Sequence, residues 1–320
     1  MLHGYAPAPP DVIGHGDHRY RVRHDWHQDT SVPVDDCHEM VQVPDGRLFL
    51  LQTHTANNII IYDRSGRVLD TWTHGYHGAH GLTLSTYDDE PALWIADEKR
   101  ALVNKHALDG RLLLELPYPA ASGLYADVSE YQPTQTTVAP DGSVYVADGY
   151  GKNYIHRYTA AGEYVMSFGG SGTGPAHLDC AHGIALDTRT PEPTLLVTSR
   201  AQQRFKRYSL DGQLLHTYQT PGLSICRPVI KGELTYFAVL LTESWYMYDG
   251  LVAVFDKDMR LISAPGSSTP TGEKLPPMAE LRSDKLTFMN PHDVCVDADD
   301  NLYVPQWYSG RTYPVMLERV

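Results

Sequence analysis

Cysteine is scarce in this chain of 320 residues: Cys37, Cys180, Cys226 and Cys295 are all there is, and no two form a CxxC pair. Four isolated thiols build no disulfide framework, and they fit reduced cysteines in a cytoplasm-like compartment. No run approaches the roughly 18 apolar residues of a membrane helix. The opening "MLHGYAPAPPDVIGHGDH" has no apolar stretch behind a basic start, so no secretory signal is expected. Basic residues are in deficit: 26 Lys and Arg against 39 Asp and Glu give a formal charge of −13. That balance argues against nucleic acid or an anionic membrane as partner. Helical periodicity is not sustained anywhere, which excludes a two-domain α/β architecture. No serine stands in a GxSxG setting, which leaves a serine hydrolase without support.

What is present favours β-structure with many turns: 21 tyrosines, 26 glycines and 22 prolines, in a chain that is 42% hydrophobic and 20% charged. One pattern recurs six times. It reads "HEMVQVPDGRLFLLQTHTANNIIIYDRSGRVLDTW" from His38 and "HGLTLSTYDDEPALWIADEKRALVNKHALDGRLLLEL" from His80. It returns as "TQTTVAPDGSVYVADGYGKNYIHRYTAAGEYVMSF" from Thr134 and "HGIALDTRTPEPTLLVTSRAQQRFKRYSLDGQLLHTY" from His182. A degenerate copy starts near Arg227, and the last, "HDVCVDADDNLYVPQWYSGRTYPVMLERV", starts at His292. Within each copy β-branched and aromatic residues alternate, and "PDG", "LDG" and "RSG" mark hairpin turns. A period of roughly 40–60 residues with four short strands is that of a propeller blade. The fold class predicted is therefore all-β, a six-bladed propeller of four-stranded antiparallel blades.

The last copy ends after its third strand. The run "HRYRVRHDW" (18–26) is suited to supply the missing one and close the ring. Residues 18–320 are then a single propeller domain, residues 1–17 a loosely ordered arm, and 264–288 a long loop between blades five and six.

Four of the six copies open on histidine: His38, His80, His182 and His292. Innermost strands line the channel of a propeller, and equivalent positions sit at equal depth around its axis. The four imidazoles are therefore expected to converge, while Thr134 and Arg227 take the two remaining positions. Neutral imidazole is a ligand for zinc, and equally suits iron or manganese. Three histidines with one open position is the arrangement of a catalytic zinc site. His80, His182 and His292 are the core of that expectation. His38 is read as a fourth ligand or as an acid or base beside the metal.

The strings "AHGL" at His80, "AHGIAL" at His182 and "PHDV" at His292 resemble NHL-repeat propellers. Within these they are most similar to the peptidyl-α-hydroxyglycine α-amidating lyase family. The resemblance runs from about His38 to Val320, and it implies a six-bladed propeller with a catalytic zinc on three histidines. It further implies a catalytic base at Tyr150, from "ADGYGKNYI", and a functional arginine at Arg200, from "TSRAQQRF". Asp293 and the Leu82 carbonyl correspond to ligands of a second metal, a structural calcium. Two positions depart from the family: Thr53 stands where it has a first-blade arginine, and Gly151 where it has a cysteine.

Together these readings imply a metal-dependent lyase acting on a small polar substrate at the central channel. Tyr150 is expected to have its phenol lowered by a nearby cation, and Arg200 to hold a carboxylate or oxyanion. Two alternatives stand beside it. One is a non-enzymatic NHL-type scaffold that binds a protein. The other is a gluconolactonase-like hydrolase, against which a histidine-rich ring counts.

Overall fold

A computed structural model describes residues 12–245, 247–284 and 286–320. They form six antiparallel sheets arranged around one axis. Blade one runs outward through Cys37–Gln42, Leu48–Gln52, Ile59–Tyr62 and Val68–Trp72. Blades two to five repeat the plan from the inner strands Ala79–Ser85, Gln135–Val138, Ile184–Asp187 and Val229–Lys231. Blade six begins with Cys295–Val296, Leu302–Val304 and Val315–Arg319. Each inner strand touches the inner strands of both neighbouring blades, so the ring is closed.

His18–Arg23 pairs antiparallel with Val315–Arg319, setting Tyr20 opposite Arg319 and Arg23 opposite Met316. The strand before the first blade thus joins the last one. Part of the segment read as an arm is also paired: Val12–His15 lies against His18–Arg23 and makes blade six five-stranded. The His15 backbone N–H, bonded to Ser263 Oγ, fastens it further to blade five. Residues 1–11 lie outside the described residues. No helix among the described residues is long and apolar enough to cross a membrane.

Six apolar clusters hold the ring, one in each wedge between adjacent blades. Phe49, Ile61, Leu82 and Ile95 fill the wedge between blades one and two. Tyr145, Ile155, Val197 and Tyr208 fill that between three and four. Each blade buries its faces only against its neighbours, which leaves the channel free to carry polar side chains. The "PDG" turns that join inner to second strands need a left-handed residue, and Gly46 and Gly142 supply it at φ 91° and 80°.

Candidate metal centre

The inner strands all start on one face of the ring, and the histidines sit at those starts. His38 and His80 stand at register shifts, between Cys37 and Glu39 and between Ala79 and Gly81. A bulge re-aims the side chain it carries. His182 and His292 lie just before their strands. All four are buried. The His292 ring lies 4.6 Å from that of His38 and 4.8 Å from those of His80 and His182, centroid to centroid. The structure thus brings together four imidazoles from blades one, two, four and six.

Hydrogen bonds orient the rings. His80 Nδ1 donates to the Thr134 carbonyl at 2.8 Å, and His292 Nδ1 to the His38 carbonyl at 3.2 Å. A neutral imidazole that donates from Nδ1 has its lone pair on Nε2, so both rings present a ligand atom to the cluster. Burial holds all four histidines below their ordinary pKa, His80 at about 3 and the others well down, so the imidazoles are neutral at pH 7. His182 Nε2 and His292 Nε2 face each other at 3.2 Å. The edge of a tetrahedron with Zn–N bonds near 2.0 Å is about 3.3 Å. Among the described residues, the buried Nδ1 atoms of His38 and His182 have no hydrogen-bond partner. Charge state, ligand spacing and orphaned donors all suit a divalent ion.

Two overlapping sets have ligand atoms within 4.8 Å of one another: His38, His80 and His292, and His182, Cys226 and His292. Cys226 was not foreseen. The degenerate fifth copy suggests Arg227 at the histidine register, but the backbone puts Cys226 there. Its N–H bonds the Ala238 carbonyl, as Thr134 N–H bonds Ala147 and His292 N–H bonds Pro305. The next residue along each inner strand forms a second level: Glu39, Gly81, Gln135, Gly183, Arg227 and Asp293. Glycine is required there by close approach. A Cβ on Gly81 would lie 2.4 Å from the Thr134 carbonyl oxygen, and one on Gly183 2.3 Å from Arg227 Cα.

Asp293 belongs to this second level and not to the imidazole cluster. Arg227 Nε and Nη2 donate to its two oxygens, each at 2.7 Å. The same guanidinium donates to the Leu82 and Met40 carbonyls at 3.1 Å and stands 3.7 Å from Glu39. The oxygens of Asp293 and Leu82, matched by resemblance to calcium ligands, are thus engaged by a built-in cation. Glu39 accepts from Leu82 N–H and from Gln135, and burial raises its carboxyl despite Arg227. This layer separates the imidazoles from a cavity of about 680 Å³ at the opposite mouth, lined by Met40, Thr136, Ile184, Arg227 and Val294 among others. That cavity lies away from the chemistry of the histidines.

Tyr150 and Arg200 stand in corresponding turns of blades three and four, between second and third strands, on the histidine face. The Tyr150 hydroxyl lies 3.1 Å from His80 Nε2 and accepts from Arg200 Nη2 at 3.1 Å. Tyr150 is 37% exposed, while its hydroxyl meets the buried His80 ring. Burial raises this phenol, and Arg200 opposes the rise without reversing it. The lowering expected from the sequence is therefore not produced by the protein's own residues. No carboxylate pairs with Arg200 among the described residues; its other contact is Cys226 Sγ at 3.9 Å. Thr53, at the family's arginine position, uses its hydroxyl to accept from the Asp36 N–H.

Asp148 is a second residue the sequence did not disclose. Its carboxylate accepts from the Gln132 and Lys152 N–H groups and from the Tyr125 hydroxyl, at 2.6–2.7 Å, and so shapes the turn that carries Tyr150. A Cβ on Gly151 would strike that carboxylate at 2.1 Å. Glycine in place of the family's cysteine is thus a packing requirement here. His74 lies outside the ring, against His106 at 4.7 Å between centroids.

No family profile matches the chain. Part of it is similar to NHL repeat-containing protein 3 of Homo sapiens, 24% identical over 160 residues, covering 48% of this chain and 45% of that protein. Part is similar to the peptidylglycine alpha-amidating monooxygenase of Rattus norvegicus, 29% identical over 164 residues, covering 48% of this chain and 15% of that protein. The chain thus spans about half the length of the first relative and a small part of the second. Among solved structures, a gluconolactonase from Xanthomonas campestris superposes with a TM-score of 0.63 at 14% identity, covering 97% of this chain and 94% of that one. A streptogramin B lyase gives 0.56 at 14%, covering 91% and 95%. At these identities the structures share the fold alone. The ring of blades and these relatives make the protein an NHL-type six-bladed β-propeller. Its channel carries a cluster of four neutral imidazoles, edged by Tyr150 and by Arg200, which pairs with no carboxylate among the described residues.

Proposed function

We propose that the protein is a metal-dependent lyase that cleaves a small hydroxylated substrate at the histidine end of the channel. The observation that carries this reading is the convergence of four buried neutral imidazoles with the Tyr150 hydroxyl and the Arg200 guanidinium. His292 would hold the ion together with His38 and His80 or with His182, and zinc is the metal we favour. When bound, such an ion supplies Lewis acidity toward a substrate oxygen.

The remaining chemistry falls to the chain. Arg200 offers a planar pair of donors to a substrate carboxylate. Tyr150 lies within hydrogen-bond reach of His80 and Arg200, where a bound divalent ion would add to Arg200 in lowering the phenol that burial raises, so that its phenolate would take the proton of a substrate hydroxyl. For an N-acyl-α-hydroxyglycine, the electron pair of that O–H bond becomes the new carbonyl. The C–N bond breaks, and the nitrogen leaves with its pair and is protonated, giving an amide and glyoxylate. The likeness to an amidating enzyme supports this substrate class, and Thr53 in place of the family's arginine weighs on its rate. The acidic chain makes a small molecule, and not nucleic acid, the partner we expect.

The test is zinc analysis of the purified protein together with glyoxylate release from an N-acyl-α-hydroxyglycine. About one equivalent of zinc with chelator-sensitive release supports the reading. Zinc without release redirects it to another lyase or hydrolase substrate. Less than about half an equivalent after growth with zinc would favour a non-enzymatic scaffold.

A further inference from the structure

Cys226 is completely buried at the histidine register of blade five. Among the described residues its sulfur makes two hydrogen-bond contacts, to Arg200 Nη1 and the Pro291 carbonyl oxygen, both at 3.9 Å, which is long even for sulfur. Its ligand atom falls within 4.8 Å of those of His182 and His292, whose Nε2 atoms stand one tetrahedral edge apart. A buried thiol this short of hydrogen bonds, set beside two neutral imidazoles whose Nε2 atoms are one tetrahedral edge apart, completes the donor set of a site for an ion. Cys37 and Cys295 pack instead in the apolar wedge between blades six and one.

Resting on the metal site argued above, we propose that the Cys226 thiolate is a ligand of the ion held by His182 and His292, making the centre a mixed imidazole–thiolate one. Binding then releases the thiol proton to solvent, and the sulfur lone pair takes its place on the metal. Burial raises the Cys226 thiol to about 12 and the charge of Arg200 offsets only part of that, so the proton leaves as the ion binds. The consequence is selectivity: sulfur and imidazole donors choose zinc, cobalt or iron over magnesium and calcium, which prefer oxygen.

The experiment titrates chelator-stripped protein with cobalt(II). Wild type should develop visible ligand-field bands and a near-ultraviolet sulfur-to-cobalt charge-transfer band, both saturating near one equivalent. Cys226→Ser should keep the visible bands, lose the near-ultraviolet one, and bind cobalt roughly tenfold or more weakly. One equivalent of cobalt with visible bands alone in wild type overturns the thiolate and leaves the imidazole site standing. No cobalt binding at all overturns both. Persistence of the charge-transfer band in Cys226→Ser assigns it to another thiol and also refutes the proposal. Should that variant fail to fold, Cys180→Ser decides: the band must survive there, and its loss sinks the idea.

Discussion

His292 is common to both candidate ligand sets, so His292→Ala is the most informative single change. The ring is 2% exposed. Truncation leaves a cavity, removes the Nδ1–H donor of the His38 carbonyl and strips His182 Nε2 of its neighbour at 3.2 Å. Together these cost about 2–4 kcal/mol. Against a typical stability of roughly 5–15 kcal/mol, the variant should remain folded. Metal affinity should suffer far more. Loss of a residue that merely orients a ligand weakens binding roughly 10–100-fold, and loss of the ligand itself should exceed about 100-fold. Thermal unfolding with and without zinc reads the difference. Zinc at about 100 times its Kd adds about 2.7 kcal/mol to wild type. At roughly 2–4 °C per kcal/mol, that raises Tm by roughly 5–10 °C, toward the lower end for a chain of this size. His292→Ala should show little zinc-dependent shift at the same concentration, with a circular-dichroism spectrum close to wild type. His38→Ala and His182→Ala, which each spare one set, should fall between. A full zinc shift in His292→Ala would show that the imidazoles are not where the ion binds.

Four further outcomes are expected. Tyr150→Phe removes the hydroxyl next to His80 and Arg200, so glyoxylate release should fall by about 10²–10⁴ while the zinc content is unchanged; equal turnover would exclude Tyr150 as the base. Arg227→Met strands the carboxylates of Asp293 and Glu39 and should cost about 3–5 kcal/mol by urea unfolding, and calcium should not raise the wild-type Tm, since a guanidinium already engages those oxygens. Gly183→Ala forces a methyl onto the Arg227 backbone, and a loss of under about 1 kcal/mol would contradict that packing. The four buried histidines have folded pKa values depressed below 6.5, so the unfolded chain binds more protons as pH falls through 6.5, and stability is lost there. In chelator, a little over about 1 kcal/mol per histidine, or roughly 5 kcal/mol for the four, should disappear between neutral pH and pH 5.5. A flat Tm over that range would mean the rings are solvated or already protonated.

The amino-acid sequence by itself carried the architecture. Repeats with alternating apolar residues and glycine turns specify a blade each, and six blades with one displaced strand leave only a closed ring. It also carried the meeting of His38, His80, His182 and His292. A ring of equivalent strands converts equal register into equal depth on the axis, so residues far apart in the chain were legible as neighbours. The second level was not legible, because its logic crosses blades: Arg227 of blade five pairs with Asp293 of blade six and reaches the Leu82 carbonyl of blade two. Cys226 was hidden by one residue of register in a copy too degenerate to align. For Tyr150, proximity to Arg200 could be read from motifs, whereas the burial that raises its phenol against Arg200 could not. Strand periodicity and repeat length are local properties written into consecutive residues. Desolvation, close approach of backbones and the pairing of buried charges exist only once distant blades are packed together, and the tertiary structure alone decided them.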